Sequence, residues 1–159
     1  MDMQVIFKEA NALRGTDAFA LDENGTCSIL MGSDLAVRFL HVPETDELLT
    51  IARVGGEPTE GAEWLHQAML RAMFMFKGTG GASLTVDEET QDIVLIRRDD
   101  LAALDAERFL ARLDDFAAVA RTWQETILSF GPTVREAKRE VADMRTDGNC
   151  VLSGEFIKI

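Results

Sequence analysis

The chain has 159 residues, 47% of them hydrophobic and 28% charged, proportions of one globular domain with room for a core and not of a disordered segment. Its 16 basic and 28 acidic side chains leave a net charge of -12, which repels phosphate backbones and argues against nucleic-acid binding. No stretch reaches the roughly 18 uncharged residues a membrane span needs, and the start, MDMQVIFKEA, lacks the basic and apolar segments of a signal peptide. The expectation is a cytoplasmic protein with no membrane insertion, whose Cys27 and Cys150 stay reduced.

In chain order, Val5, Ile6, Ala10 and Leu13 recur at helical spacing, predicting an amphipathic helix over 3–14 that Gly15 ends. In AFALDENGTCSILM two apolar runs flank Asn24-Gly25, the dipeptide of a two-residue hairpin turn, so a strand is expected on either side. Strands at 35–42 and 48–54 follow, joined by the polar turn PETDE. A helix is then predicted from Thr59, as N-cap, to Lys77, with Gly78 beyond its end. A second hairpin pairs 83–86 with 93–98. A long helix closes the body, capped by Asp105 and stapled by Leu104 against Phe109, with Leu113, Phe116, Ala120, Trp123 and Ile127 continuing its period until Gly131-Pro132.

The order is α-β-β-β-β-α-β-β-α: an α+β fold, an antiparallel sheet with three main helices, in one domain over residues 1–130. Residues 131–159 read as a C-terminal extension with five basic and five acidic side chains, so the whole charge excess sits in the body. Its spacing gives a short charged helix with Val134, Ala137, Val141 and Met144 on one face. Residues 151–159 pair as an edge strand or stay loose.

One segment stands out. In AMLRAMFMF, residues 68–76, Arg71 is the single polar side chain. A helix on the surface of its own domain needs only an apolar stripe, so one that is apolar all round must be covered twice. The simplest second cover is another copy of the chain, with Trp64, Leu65, Ala68, Met69, Met73 and Phe76 as the dimer interface. The strands also carry apolar residues on both faces, where an antiparallel sheet normally keeps one face polar.

No catalytic constellation emerges. His41 and His66 lie on different predicted elements away from either cysteine, which gives no metal site. Lys77-Gly78-Thr79-Gly80-Gly81 follows a helix and lacks the order of a phosphate loop, and Ser33 is not in a nucleophile elbow. The pairs Glu88-Glu89, Asp99-Asp100 and Asp114-Asp115 read as solvated surface. The expectation is a protein that is not an enzyme and needs no cofactor.

Three segments together resemble the class I type III secretion chaperones, the Tir chaperone (CesT) family: LDENGTCSILM at 21–31, FKGTGGASLTVDEETQDIVLIRRDDL at 76–101 and LDAERFLARLDDFAAVARTWQETI at 104–127. The resemblance implies a cytoplasmic bacterial homodimer, paired through the central helix. Such a protein binds the N-terminal region of a cognate effector in extended form and delivers it to the export apparatus, whose ATPase is a further expected partner. Client contact is then expected at Val37, Phe39, Leu49 and Ile51, with Leu13 of the first helix. This chain has Met73, Phe74 and Met75 where the family often places an Asn, making that surface more apolar. The rival reading is a regulatory or adaptor domain of the same fold that binds a folded partner.

Overall fold

The computed structural model describes residues 2–139. Helix α1 (Met3–Arg14) begins where the Asp2 carboxylate accepts the Gln4 N–H at 3.1 Å and ends at Gly15, which takes the left-handed conformation (φ 62°). Strands β1 (Thr26–Met31), β2 (Leu35–Val42) and β3 (Glu47–Gly56) form an antiparallel meander. Helix α2 (Ala62–Met73) follows, then a 3-10 turn at Phe74–Phe76 and the hairpin of β4 (Ser83–Val86) and β5 (Asp92–Asp100). Helix α3 (Ala106–Leu128) starts as expected: the Asp105 carboxylate accepts the Arg108 N–H at 2.8 Å, and Leu104 and Phe109 are both buried. The sheet order is β1-β2-β3-β5-β4, antiparallel throughout.

The α+β class and the antiparallel sheet stand, but the sheet has five strands where six were expected. Residues 18–21 are not a strand. Asn11 explains this, because its amide donates to the Phe19 carbonyl (2.9 Å) and accepts the Phe19 N–H (3.0 Å). Those are the two bonds a strand neighbour would have made. The Asp22 carboxylate then accepts from the Asn24 and Thr26 N–H groups, both at 2.9 Å, and from the Thr26 hydroxyl at 2.5 Å. An aspartate-centred turn replaces the two-residue hairpin. The Thr26 hydroxyl is the main cause holding the Asp22 carboxyl below its ordinary pKa.

So fastened, the loop delivers Phe19 into a cluster with Phe7, Phe39 and Phe109, whose ring centroids lie 5.3–6.1 Å apart. Tilted and edge-on aromatic pairs of this kind add about 0.5–1.5 kcal/mol each beyond their area. Helix α3 lies across β3 and β2, and α1 packs on α3. Leu65 and Met69 of α2 join the same core, so all three helices cover one face of the sheet.

That covered face also holds an ion cluster. Arg97 Nε lies 3.0 Å from Asp99 Oδ2, Arg112 reaches the other oxygen, and the Arg97 guanidinium sits 5.5 Å over the Phe116 ring. Asp99, expected on the surface, is 4% exposed. Leaving this carboxylate buried without its arginines would cost several kcal/mol.

After α3 the chain turns at Gly131 (φ 94°) and is stitched to the body. Thr59 N–H donates to the Pro132 carbonyl (3.0 Å), Thr133 bridges to Pro58, and Val134 N–H donates to the Glu57 carbonyl (2.8 Å). Residues 134–139 are helical. The expected positions Val141 and Met144 and the strand at 151–159 lie outside the described residues.

Candidate functional site

Two surfaces stand out, one on each of the features singled out in the sequence. The first is the face of the sheet turned away from the helices. Register decides which residues occupy it. Val37 pairs with Ala52 and Phe39 with Thr50, and all four point into the core; Val37 is 1% and Phe39 0% exposed. Arg38 pairs with Ile51 and Leu40 with Leu49, pointing outward. Beyond them Ile51 pairs with Ile96 and Arg53 with Val94. Val37 and Phe39 therefore leave the candidate client set, while Leu49 and Ile51 stay partly exposed in a row with Leu40, Ile96 and Val94.

The open face also carries arginines and carboxylates side by side, among them Asp92, Glu47 and Asp100. Arg38, Arg53 and Arg98 project from it. Arg98 binds Glu47, and Arg53 Nε lies 2.8 Å from Asp92 Oδ1. Arg38 has no ion-pair partner among the described residues. Hydrogen bonds donated by Arg98, then by the Thr45 hydroxyl, hold the Glu47 carboxyl below the usual glutamate range. A shallow groove of about 290 Å³ runs between Ser28, Ala36, Arg38, Ile51, Arg53 and Val94. Leu13 is not part of this face. It is 57% exposed on the helical side, beside a groove of about 520 Å³ rimmed by Glu9, Asp105 and Glu107.

The second surface is the end of α2. This helix is shorter than expected at both ends. Thr59 does not cap it, because its N–H and hydroxyl are both turned to the Pro132 carbonyl; Gly61 (φ 74°) stands at the N-cap without a side-chain bond. At the other end Met75 and Phe76 adopt left-handed backbone (φ 53° and 55°), a conformation costing on the order of 1–3 kcal/mol for such residues. Gly78 lies against the helix: a Cβ there would be 2.6 Å from Ala72 Cβ. The Gly78 carbonyl accepts the Trp123 indole N–H at 3.0 Å, and Gly80 N–H donates to the Phe76 carbonyl at 3.1 Å.

Large apolar side chains are left exposed along α2 and in the turn beyond it. Trp64 is 64% exposed, Leu70 66%, Phe74 and Met75 70% each and Phe76 51%. Of the expected interface residues, Trp64 and Phe76 are exposed and Ala68 and Met73 partly so. Leu65 and Met69 are not, since they fill the subunit's own core at 0% and 5% exposure. Leu70, Phe74 and Met75 were not in the expected set: Leu70 lies on the side of α2 away from Leu65, and Phe74 and Met75 follow the end of the helix at Met73.

Neither surface brings catalytic groups together. Among the described residues no three His, Cys, Asp or Glu converge with metal-binding geometry, and no helix is long and apolar enough to cross a membrane. His66 Nε2 faces Glu57 Oε1 at 2.8 Å and His41 Nε2 faces Asp46 Oδ1 at 3.0 Å, on separate elements. Burial pushes the Cys27 thiol up.

Comparison with known proteins accounts for this plan. A chain of the ExsC-ExsE complex superposes with a TM-score of 0.66 at 27% identity, covering 80% of this chain and 97% of its own. The Yersinia pestis type III secretion chaperone SycH in complex with a stable fragment of YscM2 gives 0.60 at 15% identity, covering 74% and 96%. The ExoT-SpcS complex from Pseudomonas aeruginosa gives 0.57 at 19%, covering 77% and 98%. At those lower identities the likeness is one of fold. Among curated proteins no sequence matches the chain. The sequence model of the Tir chaperone protein (CesT) family matches residues 8–124, most of the described body, and the chain belongs to that family.

Proposed function

We propose that the chain is a type III secretion chaperone of the bacterial cytoplasm. It holds the N-terminal region of a cognate effector in extended form, keeps it soluble and passes it to the export apparatus and its ATPase. It acts as a homodimer through the patch at the end of α2, and it is a binding protein, not an enzyme. The observation that carries this reading is the row Leu40, Leu49, Ile51, Ile96 and Val94, an apolar sheet face that the helices leave open. Its structural neighbours include chains from chaperone–effector complexes.

An extended segment laid over this face can bury alternate side chains against the row and place its carboxylates beside Arg38. Ordering such a segment is entropically costly, so affinity comes from a long wrapped surface. Co-expression with a secreted effector of the same host, followed by limited proteolysis, should yield a protected N-terminal fragment that is unfolded on its own. Ile51→Asp with Ile96→Asp should abolish its capture while leaving thermal melting nearly unchanged. Undiminished capture by that variant, or a partner that is folded when free, would overturn the reading.

A further inference from the structure

Three arginines from two parts of the chain meet at one end of the open face. Arg53 projects from β3, and Arg135 and Arg139 stand one turn apart on the helical stretch after α3. With Glu136 they line a shallow cavity of about 300 Å³. Local sequence puts them there. Thr133 and Glu136 cap each other: Glu136 Oε2 accepts the Thr133 N–H at 2.9 Å and its hydroxyl at 2.8 Å, and the Thr133 hydroxyl accepts the Glu136 N–H at 3.3 Å. The bridge from Thr133 to Pro58 holds this cap on the body. Arg135 Nη1 then lies 3.2 Å from Asp92 Oδ2, whose other oxygen faces Arg53 Nε at 2.8 Å.

A guanidinium carries five N–H donors. Arg53 turns its Nε to Asp92 and Arg135 one terminal nitrogen, while Arg139 has no ion-pair partner among the described residues. The nearby carboxylates are already engaged. Asp92 is 6% exposed with an arginine at each oxygen, Glu136 Oε2 holds Thr133, and the Asp87 carboxylate accepts the Glu89 and Thr90 N–H groups of its own turn. Unused guanidinium donors are therefore what this cavity offers to water, the Arg53 and Arg135 side chains being 50% and 65% exposed. Arg53 also lines the groove of the open face beside Ile51 and Val94, so the cavity prolongs that groove. Ile51 and Arg53 sit two positions apart on one strand, about 7 Å, which is the spacing of alternate side chains in an extended segment lying along β3.

We infer that Arg53, Arg135 and Arg139 form a carboxylate-binding site. It takes an aspartate or glutamate of the client segment, about two to four positions from the apolar residue seated on Ile51 and Ile96. A free dianion such as phosphate is repelled by the net charge of -12, whereas a carboxylate carried on a docked segment is brought in by its apolar neighbours. The family match ends at residue 124, so Arg135 and Arg139 lie beyond the matched body and add to it a contact that sets the direction and register of the segment. That the carboxylate belongs to a client rests on the chaperone reading above; the affinity of the three arginines for a carboxylate does not.

Two measurements on the full-length chain test it. The side-chain Nε–H signals of Arg53, Arg135 and Arg139 should shift on titration with millimolar N-acetylglutamate amide and stay still with N-acetylglutamine amide, while the exposed Arg71 of α2 shifts with neither. With the protected effector fragment as ligand, Arg139→Gln should weaken binding about tenfold, the loss of one charge-assisted contact, and flatten its dependence on salt. Arg139 makes no ion pair with Asp92, so this variant should melt as the parent does. Lys138→Gln removes the same charge one position away and should leave the affinity unchanged. Replacing one acidic residue of the fragment by its amide should cause the same loss as Arg139→Gln, and the two changes together should cause no more. Equal shifts with the acid and the amide, parental affinity in Arg139→Gln, or an equal loss in Lys138→Gln would overturn the site. A parent chain that captures no effector would refute the chaperone reading, and the titration would still decide the affinity of the arginines.

Discussion

Leu70→Glu should separate the subunits without unfolding them. Leu70 is 66% exposed, so it contributes little to the core of its own subunit. Burying a whole leucine contributes about 1.5–3 kcal/mol, so covering the exposed part is worth about 1–2 kcal/mol. A two-fold interface contains the residue twice, giving about 2–4 kcal/mol, and two unpaired buried carboxylates add several more. At about 1.4 kcal/mol per decade, the dimer should weaken by on the order of a thousandfold or more. The patch is large enough for this arithmetic to matter. Five large apolar side chains at 51–70% exposure leave on the order of 500–600 Å² per copy in water, given about 150–250 Å² for an aromatic side chain. Doubled, that reaches the lower edge of a specific interface, about 1,000–1,200 Å². Sedimentation velocity at low micromolar concentration reads the result, with circular dichroism and the melting temperature confirming the fold. A folded variant that sediments as the parent dimer would refute the assignment. Met69→Glu would not serve, because Met69 is inside the subunit core and its loss of dimer could be loss of fold.

Two further outcomes test other parts of the structure. The Glu47 carboxyl is depressed by Arg98, so its stabilising effect is fully present above the ordinary glutamate pKa and is lost as pH falls through the lowered value; Glu47→Gln should flatten the acid side of a melting temperature-versus-pH curve, and an unchanged acid limb would discount the pair. Gly78→Ala should destabilise by about 1–3 kcal/mol in urea unfolding, since the new methyl would meet the Ala72 side chain at 2.6 Å and its Cα at 2.9 Å; wild-type stability would mean that this turn yields easily.

Helical and strand periods, the Asp105 cap and the apolar excess at 68–76 were all legible in the sequence, because they follow from local pattern. What was not legible depended on distant partners. The run at 18–21 has a strand's composition, but Asn11, eight positions before Phe19, takes its hydrogen bonds. Thr59 looks like a cap until Pro132, 73 residues on, claims it. Val37 and Phe39 were grouped with Leu49 and Ile51 as apolar strand residues, yet the β2–β3 register puts the two pairs on opposite faces, and a shift of one residue would have exchanged them. An Asp two positions before Asn24 was the available sign that the turn would be aspartate-centred.

The Trp123–Gly78 bond gives the patch at the end of α2 a temporal property. The turn that splays Phe74, Met75 and Phe76 is strained, and it is tied down by a side chain 45 residues further along the chain. During synthesis Trp123 can reach Gly78 only after most of α3 has emerged, so this tether on the turn is among the last to be made.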